Sequence, residues 1–313
     1  MSRITEANFV DLYLGDGFSD VKGLDGAETK KVSAPAEWAD DLVRLKNQCS
    51  AYFADFQDPE FSLIEDGVVL RVTQIVDSMG KEVFAIAKAK PKIMQFDLLG
   101  LPDDLVHTLL NDAARGLVIF CGEMGAGKTS SAASLVIARL EGSGGIAFAM
   151  EDPQETNLNG PHGQGRCIQM QVSRRTGGYE EAFLRALRTR ADLLFVGEVR
   201  DEKTAALIVR AAINGHYIVT TAHSGSPSQA IEYIAALAQS KISNAREILA
   251  KGLLAVVFQT LEKGHGVSTL KVKSLLFSGE DGPGIREKIR TGNTQHVDQD
   301  VESQARRNIY GGS

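Results

Sequence analysis

A chain of 313 residues, 43% hydrophobic and 24% charged, has the make-up of a globular protein with one large domain or two smaller ones. Its formal net charge of -6, with no basic block, argues against a surface built to neutralise nucleic-acid phosphates. No run of about 18 apolar residues occurs and the opening MSRITEANFV lacks an apolar signal core, so the expected location is cytoplasmic, with any membrane association made through partners.

In chain order, EWADDLVRLKNQCSAYF places apolar residues at helical spacing. FSLIEDGVVLRVTQIVDSMGKEVFAIAKA then reads as β-rich runs broken at Asp-Gly and Met-Gly, the pattern of a small antiparallel sheet. In LLGLPDDLVHTLL, Gly100 and Pro102 punctuate the chain, and Asp103 or Asp104 is placed to cap a helix. The domain boundary is therefore expected near residue 100, giving domains 1–100 and 101–313.

Beyond it the pattern changes. The apolar runs GLVIFC (116–121), IAFAM (146–150), LLFVG (193–197) and YIVTT (217–221) alternate with helical stretches such as 128–141 and 200–213. That alternation predicts an α/β fold with a mainly parallel sheet and helices on both faces. The polar end, RTGNTQHVDQDVESQARRNIYGGS, is expected to be a frayed or docking tail. Cys49, Cys121 and Cys167 show no metal-ligand spacing and read as bystander thiols.

GEMGAGKT follows the first apolar run and opens a helix, the required setting for a loop that wraps nucleotide phosphates. Its members are Gly122, Glu123, Met124, Gly125, Ala126, Gly127, Lys128 and Thr129, with Ser130 just inside the helix. Backbone N–H groups would surround the β-phosphate, aided by the positive end of the helix. Lys128 can bridge the β- and γ-phosphates, and the Thr129 hydroxyl can ligate Mg2+.

Three later segments supply acids and a histidine. AMEDPQET brings Glu151, Asp152 and Glu155 past a strand end, facing the nucleotide crevice or forming a solvated acidic turn. RADLLFVGEVRD places Glu198 where a Walker B acid would sit, to hold Mg2+ or orient water. NGHYIVTTAHSGS carries His216 and His223 at either end of a strand, with His223 on the crevice side, where it could sense the γ-phosphate.

These segments, in this order, resemble the Walker A, aspartate box, atypical Walker B and histidine box of the secretion ATPases of type II and type IV systems. Within that superfamily the chain looks most like the type IV pilus retraction ATPases and their conjugation and type IVB secretion relatives. GPGIREKIRTGN (282–293) resembles a further motif near the C-terminus of that family. The resemblance covers roughly residues 60–310. It implies a RecA-like P-loop ATPase core behind a small α+β PAS-like N-terminal domain, with ATP between the two and Mg2+ as cofactor. It also implies a homohexameric motor, peripheral at the inner membrane through a platform protein of a pilus or secretion machine, with no direct nucleic-acid partner.

Position by position, the resemblance makes Glu155 the general base, Glu198 the Walker B acid, His223 the nucleotide sensor and Arg71 an arginine that helps close the site. A second arginine expected by the same resemblance is missing: Ala87 stands in its place, with Lys88 and Lys90 nearby. Two other classes are weighed beside the motor. A RecA-like nucleic-acid translocase is disfavoured by the acidic charge; an ATP-binding assembly factor with little turnover would fit the divergent arginine region.

Overall fold

The structure, a computed structural model, describes residues 2–89, 93–172, 177–263 and 268–310. Its contacts divide the chain into two units. One is Met1–Lys90 with Asp152–Asn157 and Gln171–Gly178; the other is Pro91–Glu151 with Leu158–Met170 and Tyr179–Ser313.

In the first unit, α1 (Arg3–Glu6) precedes β1 (Asp11–Leu14), β2 (Ser19–Lys22) and β3 (Lys31–Ser33); α2 (Ala39–Phe56) is followed by β4 (Glu60–Glu65), β5 (Val68–Val76) and β6 (Glu82–Lys88). The strands form one antiparallel sheet in the order β3-β2-β1-β6-β5-β4. Alternation sets its two faces. Leu12 and Leu14, Leu70 and Val72, and Phe84 and Ile86 bury on one face with Trp38, Leu45 and Cys49. Arg71, between Leu70 and Val72, therefore projects from the other face. The antiparallel sheet read from residues 61–89 is present, with reversals at Asp66–Gly67 and around Met79–Gly80.

The second unit holds α3 (Asp103–Leu110), β7 (Gly116–Gly122), α4 (Lys128–Ser143), β8 (Ile146–Glu151), β9 (Gly160–His162) and β10 (Gly165–Gln171). It continues with α5 (Gly178–Leu187), β11 (Leu193–Val196), α6 (Glu202–Ile213), β12 (Tyr217–His223), α7 (Pro227–Gln239) and α8 (Ala245–Gly252). β13 (Leu253–Lys263), β14 (Ser268–Leu276), α9 (Gly282–Arg290) and α10 (Val297–Tyr310) complete it. The sheet order is β14-β13-β7-β12-β11-β8-β10-β9. The run β13, β7, β12, β11, β8 is parallel throughout, with β14 and β9 antiparallel to their neighbours.

β7 is buried at all seven positions, which is why it reads as an unbroken apolar run. Val118 and Phe120 pack with Ala132, Ala133, Leu135 and Val136 of α4. The alternate residues Leu117, Ile119 and Cys121 are equally buried, and α6 and α7 also pack against β7.

Helix starts differ slightly from the expectation. The N-cap position of α3 is Pro102 rather than an aspartate; Asp103 and Asp104 sit in the first turn, where they favour the positive helix end, and Asp104 Oδ1 accepts from the Leu105 N–H at 2.8 Å. α6 begins at Glu202 because Asp201 is its cap, accepting from the Thr204 N–H at 2.9 Å.

The polar tail docks as α10. Val297 and Val301 are buried, and the Gln304 amide bonds both the N–H and the carbonyl of Leu276 on β14, at 2.8 and 3.0 Å. In α9, Arg286 donates to the carbonyls of Ala250, Lys251, Leu253 and Phe277, tying the end of α8 to the end of β14. The arginine of the C-terminal motif thus has a packing task.

Candidate nucleotide site

Glycine is required at three positions where β7 passes into α4. A Cβ on Gly122 would lie 2.3 Å from the carbonyl oxygen of Gln259 on β13. Gly127 caps α4 in the left-handed region, at φ +82°, and Gly125 has φ +76°. α4 has 16 residues, no side-chain cap and no acid in its first turn. Its positive end is therefore not neutralised by its own side chains, the arrangement that favours an anion.

The Lys128 side chain is drawn inward and only 6% exposed. Its Nζ donates to the Glu123 carbonyl at 2.8 Å and lies 3.2 Å from Nδ1 of His223. The register of β12 on β7 sets His223 opposite Gly122. His223 Nε2 in turn lies 3.4 Å from Glu198 Oε1. An ammonium can only donate, so the ring nitrogen facing Lys128 accepts and the proton belongs on the nitrogen facing Glu198. Glu198 follows β11 and is also gripped by Arg200, at 2.7 Å from Nε and 2.6 Å from Nη2. Thr221 Oγ1 donates to the Gly197 carbonyl at 2.6 Å, fixing the backbone beside it. Lys128, His223 and Glu198, far apart in sequence, thus form one polar chain at the strand ends. Glu123 and Met124 are exposed at the loop tip, and Thr129 and Ser130 are half-buried.

The aspartate-box acids part company. Glu151, 4% exposed at the end of β8, accepts from Gln169 Nε2 at 2.7 Å and fills the space a Cβ on Gly197 would need. Glu155 belongs to the first unit, where its carboxylate pairs with Arg71 at 3.4 Å. Ser62 Oγ donates to the Gln154 carbonyl and Asn157 Nδ2 to the Gly67 carbonyl, both at 3.2 Å, which holds this segment to the β4–β5 hairpin. Of the expected site residues, Lys128, His223 and Glu198 meet one another, and Arg71 meets Glu155.

Ala87 pairs with Arg71 across β5 and β6. Lys88 is engaged elsewhere: its ammonium donates to the Thr5 and Ala7 carbonyls, both at 2.6 Å, and lies over the Phe9 ring. A role at a phosphate would cost both of those bonds. Lys90 lies outside the described residues. Burial pushes the thiols of Cys49, Cys121 and Cys167 up to about 12, so all three stay protonated and unreactive.

Sequence reasoning missed Arg200, Gln169 and Gln259. Gln259 carried a signal, a lone amide inside the apolar run AVVFQTL; on β13 it is fully buried.

The sequence family described as "Type II/IV secretion system protein" matches residues 57–294. The type IV pilus retraction ATPase PilT of Pseudomonas aeruginosa is 28% identical over 292 residues, 90% of this chain and 81% of that protein. The type IV pilus ATPase PilU of the same bacterium is 34% identical over 230 residues, 72% of this chain but only 59% of PilU. Among solved structures, the pilus retraction motor PilT with bound ADP gives a TM-score of 0.75 at 24% identity, covering 96% of this chain and 87% of that one. The Legionella pneumophila ATPase DotB gives 0.72 at 15% identity, covering 93% and 84%. The fold is accordingly α/β, a RecA-like core preceded by a PAS-like α+β domain.

Proposed function

We propose, for a chain that belongs to the type II/IV secretion system protein family, that it is a hexameric motor ATPase powering a type IV pilus or a type IV secretion machine, conjugation and type IVB systems included. The chain is an ATPase, and the polar chain Lys128–His223–Glu198 is the observation that carries the site assignment. It connects the phosphate loop to the Walker B and histidine segments. A phosphate drawn to Lys128 would compete with the Glu123 carbonyl and with His223, and so alter what His223 offers Glu198. That competition is the proposed origin of nucleotide sensing.

The loop backbone from Gly122 to Ser130, with Lys128, takes the phosphates. Its buried ammonium and unneutralised helix end fit a polyphosphate. The oxygen donors Thr129 and Glu198 suit Mg2+, which when bound would supply positive charge to the phosphate oxygens. Glu155 takes the proton of the attacking water, and Arg71 offers its guanidinium to the γ-phosphate. The motor sits in the cytoplasm, reaching the inner membrane through a platform protein.

Two results test this reading. Light scattering with nucleotide should give a mass of six copies; a strict monomer that is fully active at high concentration would sink the ring. Glu155→Gln and Glu198→Gln should both bind ATP yet stall turnover, by on the order of 10²–10⁴-fold for a lost acid–base group. Glu198→Gln should also shift the Mg2+ dependence. If only Glu198→Gln stalls, Glu155 is Arg71's counter-ion and no base.

A further inference from the structure

Gln259 reaches both ends of the phosphate loop. Its backbone carbonyl abuts Gly122 at the start, leaving no room for a Cβ there. Its side-chain Nε2 donates to the Ala126 carbonyl near the other end, at 2.6 Å, in a fully buried bond. A Cβ on Gly127 would lie 3.4 Å from that same Nε2. Gln259 is 0% exposed, and its buried Oε1 has no hydrogen-bond partner among the described residues. A buried amide that leaves one atom unsatisfied is costly, so the site tolerates the glutamine for what Nε2 does.

The peptide plane carries the consequence. In a trans peptide the carbonyl of Ala126 and the N–H of Gly127 point in opposite directions. Holding the carbonyl down toward β13 holds that N–H up, on the side away from the sheet.

We infer that Gln259 is a positioning residue of the phosphate loop, setting the Gly127 N–H to donate to the phosphate of a bound nucleoside di- or triphosphate. The inference rests on the nucleotide reading of the loop given above. Gln259 touches no reacting atom; it acts through the Ala126–Gly127 peptide. The phosphate concerned is one that ADP and ATP share, so loss of Gln259 weakens both, raising KM more than it lowers kcat.

The test uses the full chain with Gln259→Met, which keeps length and apolarity but cannot donate, and Gln259→Glu. Amide hydrogen exchange on nucleotide-free protein reads the loop itself. In Gln259→Met, residues 122–129 should exchange about fivefold faster, as for a lost hydrogen bond worth about 1 kcal/mol, with β7 and β13 unchanged. Titration with ADP should show affinity weakened by a similar factor.

Gln259→Glu adds a pH signature. Burial raises a carboxyl pKa, and only the protonated acid can donate to the Ala126 carbonyl. ADP affinity of this variant, relative to wild type at each pH, should recover as pH falls. Unchanged loop exchange in a folded Gln259→Met protein overturns the inference. So does loss of protection spread over the whole of β13, or a Gln259→Glu affinity that tracks wild type at every pH. If wild-type protein binds no ADP, the nucleotide reading falls separately, and the exchange measurement still decides whether Gln259 orders the loop.

Discussion

Lys128→Ala is expected to abolish measurable ATP turnover, because Lys128 is the one cationic residue of the loop sequence GEMGAGKT. Lys128 is already directed inward, held between the Glu123 carbonyl and His223, so its charge is placed before a nucleotide arrives. Preorganised charge of this kind is worth on the order of 10²–10³-fold in rate for a single donor, and more for a full charge on a polyphosphate. The fold should survive, since the carbonyl and the imidazole it leaves are beside the loop surface and can take up water. Phosphate release in steady state and circular dichroism on the same sample check both halves. A folded Lys128→Ala protein with near wild-type turnover would mean that the loop is not the hydrolytic site.

Arg71→Ala should cost turnover by about 10³-fold or more while leaving most nucleotide affinity, if its guanidinium serves the γ-phosphate. The structure separates this from a stability effect. Arg71 and its partner Glu155 are each 40% exposed, and their single contact is 3.4 Å long. Such a pair contributes about 0–1 kcal/mol. Arg71 also projects away from the buried face that Leu70 and Val72 build, so its loss opens no cavity. Arg71→Lys should rescue little, because an ammonium cannot grip two oxygens at once. Turnover, ATP titration and melting temperature on both variants decide the matter. Unchanged turnover in Arg71→Ala would reduce the residue to a partner for Glu155.

How far the sequence could be read follows from burial. β7, β11 and β12 are buried along almost their whole length and β8 over its second half, and each appears as a short apolar run between helical stretches. The loop was legible for the same reason: its glycines and lysine follow directly on one of those runs. β1, β2 and β3 are only four, four and three residues long, below what periodicity can resolve. α10 read as a polar tail because it meets the sheet with little more than Val297, Val301 and one glutamine.

Within the site, spacing placed Glu198 and His223 beside the loop because parallel strands deliver their ends to one edge. It could not tell Glu151 from Glu155. Four residues apart, one is a buried acid bonded to Gln169 and the other the half-buried partner of Arg71, a difference made by where the chain leaves its strand. Gln259 lies more than a hundred residues from the loop it touches, and only the parallel pairing of β13 with β7 brings the two together.

The docking of Gln304 on Leu276 bears on aggregation as well as on folding. A strand at the rim of a sheet shows a row of unpaired backbone groups that can recruit a foreign chain. β14 is one rim, and the Gln304 amide imitates a neighbouring strand by taking both backbone groups of Leu276. The opposite rim is β9, three residues long with Pro161 at its centre, where no N–H exists to extend a ladder. Gln304 thus occupies the Leu276 end of one rim and Pro161 interrupts the other, so a foreign strand is denied a continuous ladder at both places.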